Sequence, residues 1–199
     1  MNYRKHRLRT LLILCIGSCS CFVVHAGRAN KNSSTVPVVK TEPAPAQDVI
    51  IQFLKWYKAN LHKANSFALL TKDSAGNFMV DQVAGKKYLS FLKSSKYLSG
   101  TYIAYWETYF NDKAAWLKSN PTQTDQPEGF DFDFVLITQE PETVLNQISR
   151  TKFKTVSMNS RVALIGLKWA YKDAIEYEFE MYRGKEGWQI SYISTPNFD

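Results

Sequence analysis

The spacing of apolar residues changes once along this chain, at Asn120-Pro121, and the change decides what it can fold into. Before that point apolar side chains recur every three or four positions, the period of a helix with one buried face. Ile50, Phe53, Leu54, Tyr57 and Leu61 predict a helix over 48–62, with Asp48 as its N-cap. Residues 65–83 read as irregular, with a turn signal at Asp73-Ser74-Ala75-Gly76-Asn77. Tyr88, Leu89 and Leu92 predict a second helix over 86–97. Beyond the Ser99-Gly100 break, Ile103, Trp106, Phe110 and Leu117 predict a third over 102–117. After Pro121 the period is two. Phe130, Phe132 and Phe134 alternate with Asp131 and Asp133, the pattern of a half-buried strand. Pro141 opens a short helix to about Ser149, and four further strands are expected over 153–158, 162–171, 175–182 and 188–193. The last two join through Gly184-Lys185-Glu186-Gly187, a hairpin loop. Helices followed by antiparallel strands define an α+β domain.

Residues before the domain have another character. Met1–Thr10 is basic, Leu11–Val24 is apolar, and Val24-His25-Ala26 places small or apolar groups before Gly27. That order is the order of a secretion signal. The apolar run of 14 residues is shorter than the ~20 that a permanent membrane helix needs. The expected organisation is a signal peptide over 1–26, a polar, proline-containing linker over 27–47 and a domain over 48–199. A competing reading comes from Ile16-Gly17-Ser18-Cys19, which resembles a lipobox and would place a lipid on Cys19. Pro37, Pro43 and Pro45 give the linker an extended, unpacked character.

Charge and cysteine usage exclude several functions. The formal charge of +7 points to nucleic acid until its location is considered. Arg4, Lys5, Arg7 and Arg9 lie in the leader, and Arg28, Lys31 and Lys40 stand against Glu42 in the linker. The domain is left with 18 basic and 17 acidic residues. It has no basic field to neutralise phosphates, so no nucleic-acid partner is expected, and the membrane is a partner only through a lipid anchor. All three cysteines, Cys15, Cys19 and Cys21, precede the domain, and His62 is its one histidine. No metal and no cofactor are expected.

Pro127-Glu128-Gly129-Phe130-Asp131-Phe132-Asp133, continuing to Leu136-Ile137-Thr138-Gln139-Glu140-Pro141, resembles the D-x-D…Q-[DE] signature of an exported domain family of unknown function. That family lies within the nuclear-transport-factor-2-like superfamily. Tyr88–Ser95 and Trp188-Gln189-Ile190 match it in order and spacing, so the resemblance covers about residues 48–194. Phe134 stands where relatives often carry proline. The resemblance implies N-terminal helices packed in the concave face of a curved antiparallel sheet, a cone often open at one end. It also implies an envelope location, while the superfamily's members range from enzymes to binding and dimerisation modules.

Candidate site residues follow from the residue types. Tyr102, Tyr105, Tyr109 and Trp116 make the third helix aromatic beyond one core stripe, which suits a ligand cavity or a protein interface. Asp133 and Gln139 are retained with them as candidate contacts. Asp131 and Asp133 read first as the solvated face opposite three phenylalanines. Gln139 and Glu140 read as caps for the turn before Pro141, and Glu176, Glu178 and Glu180 as a sheet face paired with Lys152, Lys154 and Lys168. His62 reads as a surface residue, and no G-x-S-x-G elbow is present to make it part of a triad.

The leading expectation is a non-enzymatic, exported binding module contacting an envelope protein or a small apolar ligand, with homodimerisation open. Rivals are a small hydrolase or isomerase using Asp131 or Asp133, and a periplasmic immunity or inhibitor protein. Intact-mass analysis of the protein from its native envelope is expected to give a chain beginning at Gly27. An unprocessed Met1 chain refutes export, and a lipid-bearing Cys19 selects the lipobox reading.

Overall fold

A computed structural model of the chain describes residues 45–124, 126–169 and 176–196. The leader, the linker up to residue 44, Cys19 and Ile175 lie outside the described residues. The chain divides into two units, 1–40 and 41–199, and the second contains the whole domain.

Helix α1 is Ala46–Asn65, longer than expected at both ends. Asp48 is not its N-cap. Pro45 holds that position, and its carbonyl accepts the amides of Asp48 and Val49 at 3.0 and 3.2 Å. Asp48 falls in the first turn, where its charge suits the helix dipole. Ala46 is buried, so the packed domain begins two residues before the expected boundary. The stretch read as irregular contains a small hairpin, β1 (Leu70–Lys72) with β2 (Phe78–Val80). Its turn is closed by Asp73 Oδ1, which accepts the Ala75 and Asn77 amides at 2.9 and 2.8 Å. Helix α2, Gln82–Ser94, starts four residues early because Asp81 caps it, accepting the amides of Val83 and Ala84. Helix α3, Gly100–Ser119, is capped by Ser99.

The C-terminal part is a four-stranded, curved antiparallel sheet in simple sequential order: β3 (Thr151–Met158), β4 (Val162–Trp169), β5 (Tyr177–Gly184) and β6 (Gly187–Ser194). Register shifts at Thr155/Ser157 and Glu180/Met181 mark bulges, the ordinary device for bending a strand. Helix α1 packs on β4 and β6, and α3 packs on β6, α2 and the hairpin. Ile165, Phe179, Met181 and Ile190 from the sheet meet Phe53, Tyr57, Leu92 and Phe110 from the helices in one core. Residue 98 runs beside β6, with Leu98 bridging Ile190 in parallel.

The largest correction concerns Phe130–Phe134, which is not a strand. The segment is a series of turns whose only ladder contact is an isolated bridge, Asp133 to Thr138. Gly129 takes φ +91° just before it and Ile137 takes φ +51° just after. Phe130 and Phe134 are buried all the same, because the loop is pressed into the helices. Phe130 stacks on Phe110 at 6.3 Å, and Phe134 meets Trp106 edge-on at 5.2 Å. Alternation correctly marked Phe130 and Phe134 as inward and Asp131 as outward, but it misplaced Asp133 and misidentified the backbone. The short helix that follows, α4, is Pro141–Asn146, with a single 3₁₀ turn at Ile148–Arg150.

The approach to this loop is fixed by α3. Tyr109 donates its hydroxyl to the Gly129 carbonyl at 2.8 Å, and Lys113 donates to the Glu128 carbonyl at 2.9 Å. A Cβ on Gly129 would run into the Tyr109 hydroxyl and the Lys113 ammonium. Gly129→Ala is therefore expected to destabilise the domain by about 2–4 kcal/mol, from backbone strain plus the displaced bond. In a Tyr109→Phe background the same change is expected to cost about 1 kcal/mol less, since the clashing oxygen is gone. Additive urea melts would show that the contact is not the cause.

Candidate functional site

Helix α3 does not present its aromatics as one surface. Tyr102 lies on the core side with Trp106 and Phe110 and is 1% exposed, so it cannot meet a ligand. Among the described residues its enclosed hydroxyl has no hydrogen-bond partner; the Trp106 indole stands beside it but does not reach bonding geometry. Burial pushes that phenol's pKa well up. Tyr109 is half-buried and holds the Gly129 carbonyl. Tyr105 and Trp116 are the two exposed members, at 43% and 44%. They are separated by three helical turns, about 16 Å along the axis, with Thr108 and Asp112 exposed between them. Tyr105 packs edge-on to Tyr192 of β6 at 5.1 Å. The expected stripe thus divides into a core residue, a loop clamp and two separate surface rings.

The two aspartates also part company. Asp131 is exposed and accepts a hydrogen bond from Gln139 Nε2 at 3.3 Å, as a solvated residue would. Asp133 is not on a solvated face. It is half-buried with its carboxyl turned inward, and that carboxyl organises the loop around it. Oδ1 accepts the amides of Val135 and Leu136 at 3.0 and 2.7 Å, and Oδ2 accepts a short hydrogen bond from the Tyr57 hydroxyl. The loop closes behind it, with Asp133 N donating to the Thr138 carbonyl at 2.8 Å and Ile137 N to the Asp133 carbonyl at 2.7 Å. Tyr177 of β5 then ties the loop to the sheet by donating to the Leu136 carbonyl at 2.9 Å.

Four phenols from four elements surround this carboxyl: Tyr57 of α1, Tyr88 of α2, Tyr102 of α3 and Tyr177 of β5. Burial raises the pKa of Asp133; its bonds from Tyr57, Leu136 and Val135 pull the other way, and Glu142 adds a further upward push. The phenols are raised in turn by their own burial, with Asp133 among the charges that oppose their ionisation. Tyr57 and Tyr88 occupy the core positions that helical periodicity assigns them. Nothing in that pattern distinguishes a phenol bonded to a carboxylate from one that merely fills space.

Asp133 lies where two cavities adjoin. One, of about 460 Å³, is lined by the rings of Phe67, Phe78, Tyr88, Phe130, Phe132 and Phe134 together with Tyr57 and Asp133. The other, of about 480 Å³, is more open and is lined by Asp131, Phe132, Asp133, Gln139 and Glu142 among others. Both volumes lie in the range that small-molecule sites occupy. Of the candidate residues singled out from sequence, Asp133 lines both cavities, Asp131 and Gln139 line the more open one, and none of the four aromatics of α3 lines either.

The remaining candidates fall elsewhere. Glu140 holds the N-cap position of α4 without a side-chain bond to the helix amides; its carbonyl accepts the Val144 amide at 3.4 Å, and the Thr138 hydroxyl accepts the Glu140 amide at 3.2 Å. Glu178 faces Gly166 and Ser194, Glu180 faces Leu164 and Tyr192, and Lys152 faces Lys168. Neither of these two glutamates therefore opposes a lysine directly, whereas the register that sets Leu167 against Tyr177 brings Lys168 level with Glu176, so the register supports the expected pairing at that end of the sheet. His62 is exposed in the last turn of α1. Among the described residues no three His, Cys, Asp or Glu side chains gather so as to hold a metal, and no helix is long and apolar enough to cross a membrane. No family model matches this chain, and neither a curated protein nor a solved structure resembles it closely enough to lend it a fold name or a function.

The Asp133 carboxyl is a group whose ionised form burdens the fold. Its folded-state pKa exceeds its unfolded one, so the folded chain binds that proton more tightly. The penalty is absent below the unfolded value, grows as pH rises between the two, and is complete above the folded one. Asp133→Asn removes the titration while keeping an acceptor oxygen for the Val135 and Leu136 amides. In urea melts between about pH 3 and about pH 7, the variant's stability relative to the parent is expected to improve as pH rises. A difference that falls with pH would mean the folded state prefers the ionised carboxylate. Tyr57→Phe is expected to cost about 1–3 kcal/mol at neutral pH, the price of leaving Oδ2 short of a donor.

Proposed function

We propose that the domain is the folded part of an exported, non-enzymatic binding module of the cell envelope, and that it takes a small apolar ligand into the aromatic cleft at Asp133. The observation that carries this reading is the cleft itself: about 460 Å³ lined by six aromatic rings together with Tyr57 and Asp133. Export rests on the order of charge, apolarity and small residues over Met1–Ala26, followed by the proline-spaced linker. A periplasmic or envelope location follows, with Cys19 as the alternative lipid anchor. We read the fold as a nuclear-transport-factor-2-like cone. Support for that comes from helices preceding a bent, sequential antiparallel sheet and from a cleft beside the D-x-D loop.

Two observations favour the small ligand over a protein partner at α3. Tyr105 and Trp116 are separate rather than contiguous, and an interface core needs a contiguous apolar patch. The cleft, by contrast, gathers its rings around one point. An acid–base enzyme is the second reading, favoured by a carboxyl with raised pKa beside the Tyr57 phenol. Against it, the cleft lining holds no nucleophilic thiol and no histidine to work with that carboxyl.

Fluorescence titration of the full chain with the neutral probe N-phenyl-1-naphthylamine tests the reading. Phe132 is only half-buried, so Phe132→Ala should preserve the fold while weakening the probe by about tenfold. The pair Tyr105→Ser and Trp116→Ser should leave the titration unchanged. The reverse pattern would move the binding surface to α3.

A further inference from the structure

We propose that the ligand of this cleft is an organic cation, an alkyl- or arylammonium whose charged head sits against Asp133 between the rings of Phe130, Phe132 and Phe134. The proposal rests on the binding reading above and deepens it by naming the ligand's charge.

Three features of the lining carry it. The two adjoining cavities present the carboxyl groups of Asp131, Asp133 and Glu142, and no lysine, arginine or histidine lines either one. An anionic ligand would meet repulsion there, and a neutral one would gain no charge attraction from the carboxyl groups. The rings supply the second feature. The face of an aromatic ring carries the negative end of its quadrupole and attracts ammonium groups, more strongly where water is excluded. Rings at the edge of this cleft already do so with the protein's own side chains. Lys72 Nζ lies 4.4 Å from the centroid of Phe78, and Lys63 Nζ lies 5.1 Å from that of Phe67. Among the described residues no basic group is placed over Phe130, Phe132 or Phe134, the three rings nearest the carboxyl in the chain.

The third feature is the bonding of Asp133. Among the described residues Oδ1 accepts two amides, whereas Oδ2 accepts the Tyr57 hydroxyl alone. A carboxylate offers about four acceptor directions, so Oδ2 retains one for an N–H of a ligand ammonium. Tyr57 and the loop amides hold the group in place without using that direction. A hard divalent ion does not suit the same position. Such ions take six or more oxygens, and among the described residues no acidic cluster could hold a metal. The charge of an organic ammonium is spread over an apolar body, which matches one carboxylate set among phenylalanines.

Isothermal titration of the full chain with three soluble probes of similar size decides the matter: 2-phenylethylamine, 2-phenylethanol and 3-phenylpropionate. The ammonium is expected to bind at least about tenfold more tightly than the alcohol, and the carboxylate to bind most weakly. Asp133→Asn should bring the amine to within about threefold of the alcohol. Because that residue also shapes its loop, Glu142→Gln provides a second variant at an exposed position. It should weaken the amine about twofold and leave the alcohol unchanged. Equal binding of amine and alcohol, both lost in Phe132→Ala, would overturn the cationic assignment while leaving the cleft as a binding site. Failure of all three probes would also overturn it, and the neutral naphthylamine probe then reports independently on the cleft. A tighter amine that ignores Asp133→Asn, Glu142→Gln and Phe132→Ala would place a cation site elsewhere and refute the proposal.

Discussion

Asp133 accepts hydrogen bonds from a helix and from its own loop at once: Tyr57 reaches it from α1, and the amides of Val135 and Leu136 close on it from the following turn. Much of the domain's central architecture depends on that convergence. Buried backbone amides must find acceptors, and in a loop without a neighbouring strand they can find them only in side chains or water. Asp133 supplies that acceptor, so Val135 and Leu136 can be fully buried without belonging to a ladder. The same carboxyl holds Tyr57 in the lining of the cleft, and Tyr177 fastens the loop to the sheet by taking up the Leu136 carbonyl. A carboxylate deep in an apolar surround is costly in itself. Three hydrogen bonds recover part of that cost, and the result is a loop that behaves as part of the core.

Around this point the aromatic side chains divide their work by depth. Tyr102, Trp106 and Phe110 fill the space between α3 and the loop, and Phe134 meets Phe110 edge-on at 5.3 Å and Trp106 at 5.2 Å. Edge-to-face contacts of this kind orient each ring against the next, so the wall of the cleft is held from behind. Tyr109 and Lys113 grip the loop's entry through carbonyl oxygens, which leaves room there only for glycine. The cleft is therefore bounded by side chains whose own positions are fixed by a second layer. Such preformed walls spare a ligand much of the ordering cost of binding.

Several elements were readable without coordinates because their signals are local. Each of the three long helices was legible from its apolar period, and the hairpin turn at Asp73–Asn77 from its residue types. The four C-terminal strands were likewise legible to within about two residues in most cases, as was the tight connection between β5 and β6. Helix starts were harder, since Asp81 and Pro45 cap helices whose first turns carry little apolar signal. The candidate site was hardest. Asp133 was identified as a candidate contact, yet its pattern with Phe130, Phe132 and Phe134 suggested a solvated strand face. Tyr57 and Tyr88 looked like ordinary core residues, because a helical position records that a side chain faces inward and not what it meets there.

What the sequence by itself determined is the class of domain, the order of its three long helices and four C-terminal strands, and the confinement of cysteine and excess positive charge to the residues before it. These properties are local or additive, and each can be read from neighbours along the chain. Tertiary structure alone decided that the Phe130–Phe134 segment turns instead of extending, that Asp133 faces inward, and that the aromatics of α3 part into core, clamp and surface. Each of these outcomes depends on a partner distant in sequence: Tyr57 for the carboxyl, Tyr109 for the glycine, Tyr177 for the loop. Alternating phenylalanines bury equally well on a strand or in a packed turn. The choice between them falls to whichever backbone can satisfy its amides, and here a side chain 76 residues away completes the arrangement.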